Sequence, residues 1–307
     1  MDTWTPADMT DQSGRTALVT GPTVGGLGFH TAAELARRGA RVVLAGRSPE
    51  RLAEARAALR ELHPTAAVEL VKLDLTSLTS VREAAATAGG FGPLDLLVNN
   101  AGIMAPPYAR TGDGLELQLA TNHFGPFLLT GLLLPQLAAS EDGRVVTVSS
   151  LMHKYARSAP LDDPRQESGR YAAWQVYGQS KLANLLFTVE LERRLRAAEL
   201  PVKALAAHPG IASTHLVANG PLSRLPGRST LGQLVTRTVS QSPAAGAWPT
   251  LMAACADLPG GTFTGPAGRF ELTGPATVVA GRRLARDPET ARRLWELSES
   301  VTGLRYP

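Results

Sequence analysis

The sequence predicts a single-domain α/β fold, a doubly wound parallel sheet with helices on both faces. Three observations predict it. Short β-branched runs alternate with helical runs from residue 15 to residue 210. The strand runs are continuously apolar, as strands covered on both faces are. The first strand passes into the first helix through a glycine-rich turn, "TGPTVGGLG" at 20–28.

Each element has its own signal. "RTALVT" (15–20) reads as the first strand, and "HTAAELARRG" (30–39) as a helix stopped by Gly39. "ARVVLAG" (40–46) is the second strand. "SPERLAEARAALRELHP" (48–64) opens on a serine cap with proline in its first turn, and Leu52, Ala55, Leu59 and Leu62 recur at helical spacing. "VELVKLDL" (68–75), "LDLLVNN" (94–100), "GRVVTVSS" (143–150) and "VKALAAHPG" (202–210) are the remaining strands. Helices fill the intervals near 76–88, 113–138 and 171–199. Residues 1–13 read as an N-terminal extension and 14–307 as one domain. Two stretches break the rhythm: a polar insertion at 156–170, and a Gly/Pro/Ser-rich segment at 215–242. The second follows the sixth strand, where a substrate lid is expected.

Composition narrows the function. The 307 residues are 44% hydrophobic and 19% charged, ordinary for a globular protein. A net charge of +4, dispersed along the chain, points away from nucleic acid and suits a small anionic ligand. A single cysteine, Cys255, allows no internal disulfide and reads as a packing residue. The start has no apolar core, and "FGPFLLTGLLLPQLAA" (124–139) is interrupted by prolines and polar residues. A cytoplasmic location away from membranes is therefore expected. The six histidines are scattered and no metal-binding pattern is present, so no metal is expected.

The motifs point to nucleotide chemistry. In the glycine turn, Gly21 permits the tight bend, Gly26 lets a pyrophosphate approach the backbone, and Gly28 lets helix and strand pack closely. This is a Rossmann-type arrangement. At the end of the second strand stands Arg47, where a chain built for NAD usually carries a carboxylate. A guanidinium grips a 2′-phosphate, which predicts NADP(H). "YGQSK" (177–181) places Tyr177 and Lys181 on one helix face. The preceding strand delivers Ser149 and Ser150 to the carboxyl edge of the sheet.

These motifs together resemble the short-chain dehydrogenase/reductase family over roughly residues 14 to 215. The likeness rests on the glycine turn, "DL" at 74–75, "NNAG" at 99–102, Asn122 in "TNHFGPFLL", "VTVSS" at 146–150, "YGQSK" and "HPGIAST" at 208–214. "NNAGIM", "NHFGPFLLT" and "SKLANLLFT" are closest to the retinol-dehydrogenase-like and WW-domain-oxidoreductase-like branch. The resemblance implies a catalytic set of Asn122, Ser150, Tyr177 and Lys181. Tyr177 is then the proton donor to a carbonyl oxygen, or the base in alcohol oxidation, with Lys181 and the oxidised nicotinamide lowering its pKa. Ser150 holds the substrate oxygen, Lys181 the nicotinamide ribose, and Asn122 a water chain toward Lys181. Gly21, Thr23, Val24, Gly25, Gly26, Leu27 and Gly28 line the phosphates. Asp74 and Leu75 flank the adenine, and Asn100, Ala101 and Gly102 line the cofactor through backbone. Pro209, Gly210, Ile211 and Thr214 fix the carboxamide. Met104, Met152, Trp174 and Leu216 are candidates for an apolar substrate pocket, expected to take bulky ketones or aldehydes. Family members form dimers or tetramers through long helices.

The chain departs from the family at two places. Four residues separate Gly21 from Gly26 where three are usual, so Gly25 is either an insertion or shares the role of Gly26. Ser150 and Tyr177 are 27 residues apart, about twice the spacing of compact members, and the 156–170 insertion absorbs the excess. A catalytically silent dinucleotide-binding regulator is the alternative reading. The intact Asn, Ser, Tyr and Lys set argues against it.

Overall fold

The computed structural model describes residues 3–161, 163–167, 170–212 and 240–307. The expected lid at 215–242 lies outside the described residues except for 240–242, and so do Thr214 and Leu216.

An eight-stranded sheet forms the centre, in the order β3-β2-β1-β4-β5-β6-β7-β8. Its strands are β1 (Thr16–Thr20), β2 (Arg41–Gly46), β3 (Val68–Lys72), β4 (Leu96–Asn99), β5 (Gly143–Val148), β6 (Val202–Ala207), β7 (Phe263–Pro266) and β8 (Ala276–Val278). All neighbours pair parallel except β7 and β8. Successive strand residues face opposite sides and both sides are buried. Ala17, Val19, Val42, Leu44 and Val98 join one core, while Leu18, Val43, Ala45 and Leu97 join the other. Helices α1 (Leu27–Arg37) and α2 (Pro49–Leu62) cover the first face together with a later helix, Trp248–Cys255. Helices α3 (Leu78–Gly89), α4 (Gly125–Ala138) and α5 (Ala173–Ala197) cover the second face. With α6 assigned to Trp248–Cys255, the last helix is α7 (Pro288–Thr302).

The helix ends follow local chemistry. The Ser48 hydroxyl accepts from the Arg51 amide at 3.3 Å, and Pro49 occupies the first turn of α2. Asp287 caps α7 through the Thr290 amide at 2.9 Å, and Gly303 ends it with φ +65°. Helix α1 starts at Leu27, earlier than residue 30, because Gly26 serves as its cap. Cys255 packs half-buried against the first core.

Two strands have no counterpart in the sequence reading. β7 is "FTGP" and β8 is "ATV", too short for periodicity, and Gly265 and Pro266 read as a loop. The N-terminal segment adds to this edge, where Trp4 bridges Ala276. Between β4 and α4 the helix is interrupted. A single turn, Leu117–Leu119, runs into a π-helical turn, Ala120–Phe124, which carries Asn122. Such turns cost helix stability and recur at functional sites.

The sheet order reverses direction between β1 and β4. Their carboxyl ends diverge there into a crevice, the ligand position of this architecture. Thr20 braces its floor. Its buried hydroxyl accepts from the Asn100 and Ala101 amides at 3.0 and 2.9 Å.

Candidate active site

The crevice begins at the glycine turn. Gly21 has φ +67°, and a Cβ there would stand 2.9 Å from the Ala101 Cα. Gly28 is closer still, since a Cβ would meet the Asn100 Nδ2 at 2.4 Å and the Gly21 carbonyl oxygen at 2.7 Å. Asn100 donates to the Thr20 carbonyl at 2.8 Å, which locks β4 to the turn. The lengthened loop resolves into two jobs. Gly25 takes the left-handed bend at φ +75°, and Gly26 caps α1 with no side chain over the helix end. Thr23 is exposed, and Val24, Gly25, Gly26 and Leu27 are half-buried. A bare helix terminus behind a glycine turn fits a pyrophosphate.

The adjoining strand ends supply the other edges. Arg47 is exposed at the end of β2, and among the described residues it has no hydrogen-bond or ion-pair partner. Asp74 is half-buried and accepts from the Thr76 amide and hydroxyl, at 3.0 and 2.7 Å. Leu75 packs into the second core, its carbonyl against the start of α4 at Gly125. Gly102 faces two site residues. A Cβ there would lie 3.1 Å from the Asn122 Oδ1 and 3.3 Å from the Lys181 Nζ. A side chain at Gly102 would therefore crowd both Asn122 and Lys181.

Helix α5 places Tyr177 and Lys181 at this crevice. Tyr177 is buried, and the Ser150 side chain stands beside its phenol. The Lys181 Nζ donates to the Val148 carbonyl at 3.0 Å and lies 5.8 Å from the Tyr177 ring centre. Asn184 donates to the same carbonyl at 3.1 Å. Ser149 is not at the reacting end, because its hydroxyl donates to the Lys181 carbonyl at 2.7 Å. The Asn122 amide bridges helix and loop. Its Nδ2 donates to Ile103 O at 3.0 Å and to Ser180 Oγ at 2.9 Å, and its Oδ1 accepts from the Ile103 amide at 2.8 Å.

Burial decides the electrostatics. The sequence predicts a phenol acidified by Lys181. In the structure burial prevails over the lowering by the neighbouring Ser150, and the Tyr177 phenol is pushed up to about 12. The same burial brings the Lys181 ammonium down to about 8. A phenol in that state stays protonated at neutral pH and can donate to a developing oxyanion.

Met104, Met152 and Trp174 are half-buried, and the Trp174 ring meets Tyr177 edge-on at 6.2 Å. Two residues of the insertion, Arg165 and Glu167, contact the loop after β4. Tyr108 donates to the Arg165 carbonyl at 3.2 Å, and Arg110 pairs with Glu167 at 2.8 Å. Gln118 is a site-shaping residue that sequence reading missed. Fully buried, it accepts from the Ala105 amide at 2.8 Å and donates to Tyr171 Oη and Ala173 O, at 2.7 and 3.0 Å. It thereby ties the loop after β4 to the turn of α5 that precedes Tyr177. No local sequence signal marks it, because its partners are distant in the chain.

Pro209, Gly210 and Ile211 follow β6 into the crevice. Two histidines near the motifs are core groups. His123 Nε2 bonds Ser298 at 2.8 Å, and burial lowers its pKa to about 3. His153 donates from Nδ1 to Ser150 O at 2.7 Å, and burial lowers it to about 4. Both take up protons more readily unfolded than folded. Their contribution to stability is therefore complete above pH 6.5 and falls as pH drops toward the folded pKa values, by at most about 1.4 kcal/mol per pH unit for each group. His123→Asn should flatten this slope in urea titrations run between pH 7 and pH 4.5. An unchanged slope would contradict the assignment.

Comparison with known proteins completes the picture. The short chain dehydrogenase family model matches residues 15–160. Human retinol dehydrogenase 13 (Homo sapiens) is 40% identical over 300 residues, which is 96% of this chain and 86% of that protein. The chain belongs to the short-chain dehydrogenase family. Within it, the likeness is to the retinol-dehydrogenase-like branch. Mus musculus polyprenol dehydrogenase is 39% identical over 97% of this chain and 87% of its own. A crystal structure of a protein from Mycobacterium Paratuberculosis superposes with a TM-score of 0.82 at 44% identity, covering 100% of both chains. As a short-chain dehydrogenase the protein is an oxidoreductase that uses a nicotinamide dinucleotide. Among the described residues no helix is long and apolar enough to cross a membrane.

Proposed function

We propose that the protein is an NADP(H)-dependent carbonyl reductase that converts a bulky, apolar ketone or aldehyde to its alcohol, and runs in reverse when alcohol is in excess. One observation carries this reading: a buried phenol with Ser150 beside it and the Lys181 ammonium 5.8 Å from its ring centre, in a fold whose glycine turn leaves a helix terminus bare. When bound, the cofactor supplies the hydride. The chain supplies the rest. Tyr177 donates its proton to the carbonyl oxygen, and Ser150 holds that oxygen by hydrogen bond while charge develops. Lys181 contributes positive charge beside the phenol and holds the ribose hydroxyls. Asn122, anchored on the π turn, keeps a polar path open toward Lys181. The half-buried Met104, Met152 and Trp174 keep water from the reacting carbonyl.

Arg47 supports the choice of NADP(H). It stands exposed at the end of β2 with no competing partner among the described residues, next to the capped start of α2. Arg47→Ala should weaken NADPH binding by on the order of tenfold, the worth of one charge-assisted contact, and leave NADH nearly unchanged. Equal effects on both nucleotides would refute the role. The names of two relatives, retinol dehydrogenase and polyprenol dehydrogenase, direct the substrate search toward long apolar alcohols and their carbonyl forms. The activity is tested by following NADPH consumption with a panel of such aldehydes and ketones. Binding without consumption across the panel would overturn it.

A further inference from the structure

The loop between β7 and β8 has an unusual shape. Phe270 and Glu271 are consecutive non-glycine residues in left-handed backbone, with φ +58° and +59°. L-residues adopt this region at a cost, and such strain persists only where the surroundings enforce it. The turn sends the Phe270 ring outward, 70% exposed, and the Glu271 carboxylate inward.

That carboxylate has partners on two walls of the crevice. Its Oε1 pairs with Lys154 Nζ at 2.9 Å, in the turn that follows Ser150. Its Oε2 accepts from His208 Nε2 at 3.1 Å, immediately before Pro209. His208 is fully buried, and its Nδ1 accepts from the Gly210 amide at 3.2 Å, so the hydrogen lies on Nε2. The same loop holds the segment directly. Leu272 O accepts from the Ile211 amide at 2.8 Å, and a Cβ on Gly210 would stand 2.2 Å from that oxygen. Gln241 closes the ring, donating to Pro209 O at 2.9 Å and accepting from the Gly274 amide at 3.0 Å. His208, then Lys154, hold the Glu271 carboxyl down at about 2, so it is ionised throughout the working range. An exposed ion pair contributes little. Here the loss of the carboxylate leaves a buried imidazole N–H without its acceptor, which is the costly case.

We propose that Glu271 is a positioning residue: it clasps the Pro209–Ile211 segment to the wall that carries Ser150 and so sets the seat of the nicotinamide end of the dinucleotide. The inference rests on the reading of 209–211 as the nicotinamide contact. It separates the two ends of the cofactor. The adenine end, held at the glycine turn and Arg47, does not depend on the clasp.

The test is a pair of binding titrations by calorimetry, NADPH against adenosine 2′,5′-bisphosphate, which lacks the nicotinamide. Glu271→Ala should weaken NADPH by on the order of tenfold and leave the bisphosphate within about twofold. Glu271→Gln, which still accepts from His208, should recover most of the loss. Lys154→Met, at a half-exposed position, should weaken NADPH by about threefold with the bisphosphate unchanged, and it keeps the test open where Glu271→Ala fails to fold. Unchanged NADPH affinity in these variants, or equal weakening of both ligands, overturns the clasp. Wild-type protein that binds neither ligand would overturn the cofactor reading instead.

Discussion

Replacing Tyr177 by Phe should lower turnover by roughly 10²–10⁴-fold, the range for loss of a general acid. NADPH affinity should stay within about threefold, because the phenol hydroxyl faces Ser150 rather than the glycine turn. The fold should survive. Tyr177 is buried and phenylalanine keeps its ring, including the edge-on contact with Trp174 at 6.2 Å. The Ser150 hydroxyl beside the phenol still accepts from the Met152 amide at 3.2 Å. Calorimetric binding beside steady-state rates separates the two effects. Turnover near that of the wild type would show that the proton comes from elsewhere.

The second large effect concerns Lys181. Its pKa is lowered by burial to about 8. The cation is therefore present at neutral pH and lost as pH rises through that value. Carbonyl reduction should be nearly flat below about pH 7 and fall above about pH 8, once the positive charge beside the phenol is gone. Lys181→Met should remove this limb and lower kcat/KM by on the order of 10²-fold or more, since it deletes both the charge and the ribose contact. A pH profile of the methionine variant that keeps the alkaline limb would assign that limb to another group. The variant also leaves the Val148 carbonyl with one donor, from Asn184 at 3.1 Å, so its melting temperature is measured alongside.

The first six strands were legible because their burial on both faces writes continuous apolar runs into the sequence. The last two were not. "FTGP" and "ATV" are held by pairing with β6 and with each other, and glycine and proline inside such a run read as a loop. The sequence predicts a later start for α1 for a related reason, since Gly26 and Gly28 look like turn residues yet act as cap and packing surface. In the site, spacing and company made Ser150, Tyr177 and Lys181 readable. Their electrostatics were not, because depth of burial depends on distant elements, and burial is what drives the phenol up to about 12. Gln118 and Glu271 were invisible for the same reason. Glu271 meets its partners Lys154 and His208 only after the sheet has closed.

The central claim is that this crevice passes hydride to a carbonyl carbon while the chain protonates the oxygen. The most direct measurement uses NADPH carrying deuterium at the transferable position, with an apolar aldehyde, analysed by mass spectrometry of the alcohol. The account predicts one deuterium on the carbinol carbon with the wild-type protein and essentially none with Tyr177→Phe. A wild-type protein that binds the cofactor yet transfers no label to any carbonyl tested would contradict it.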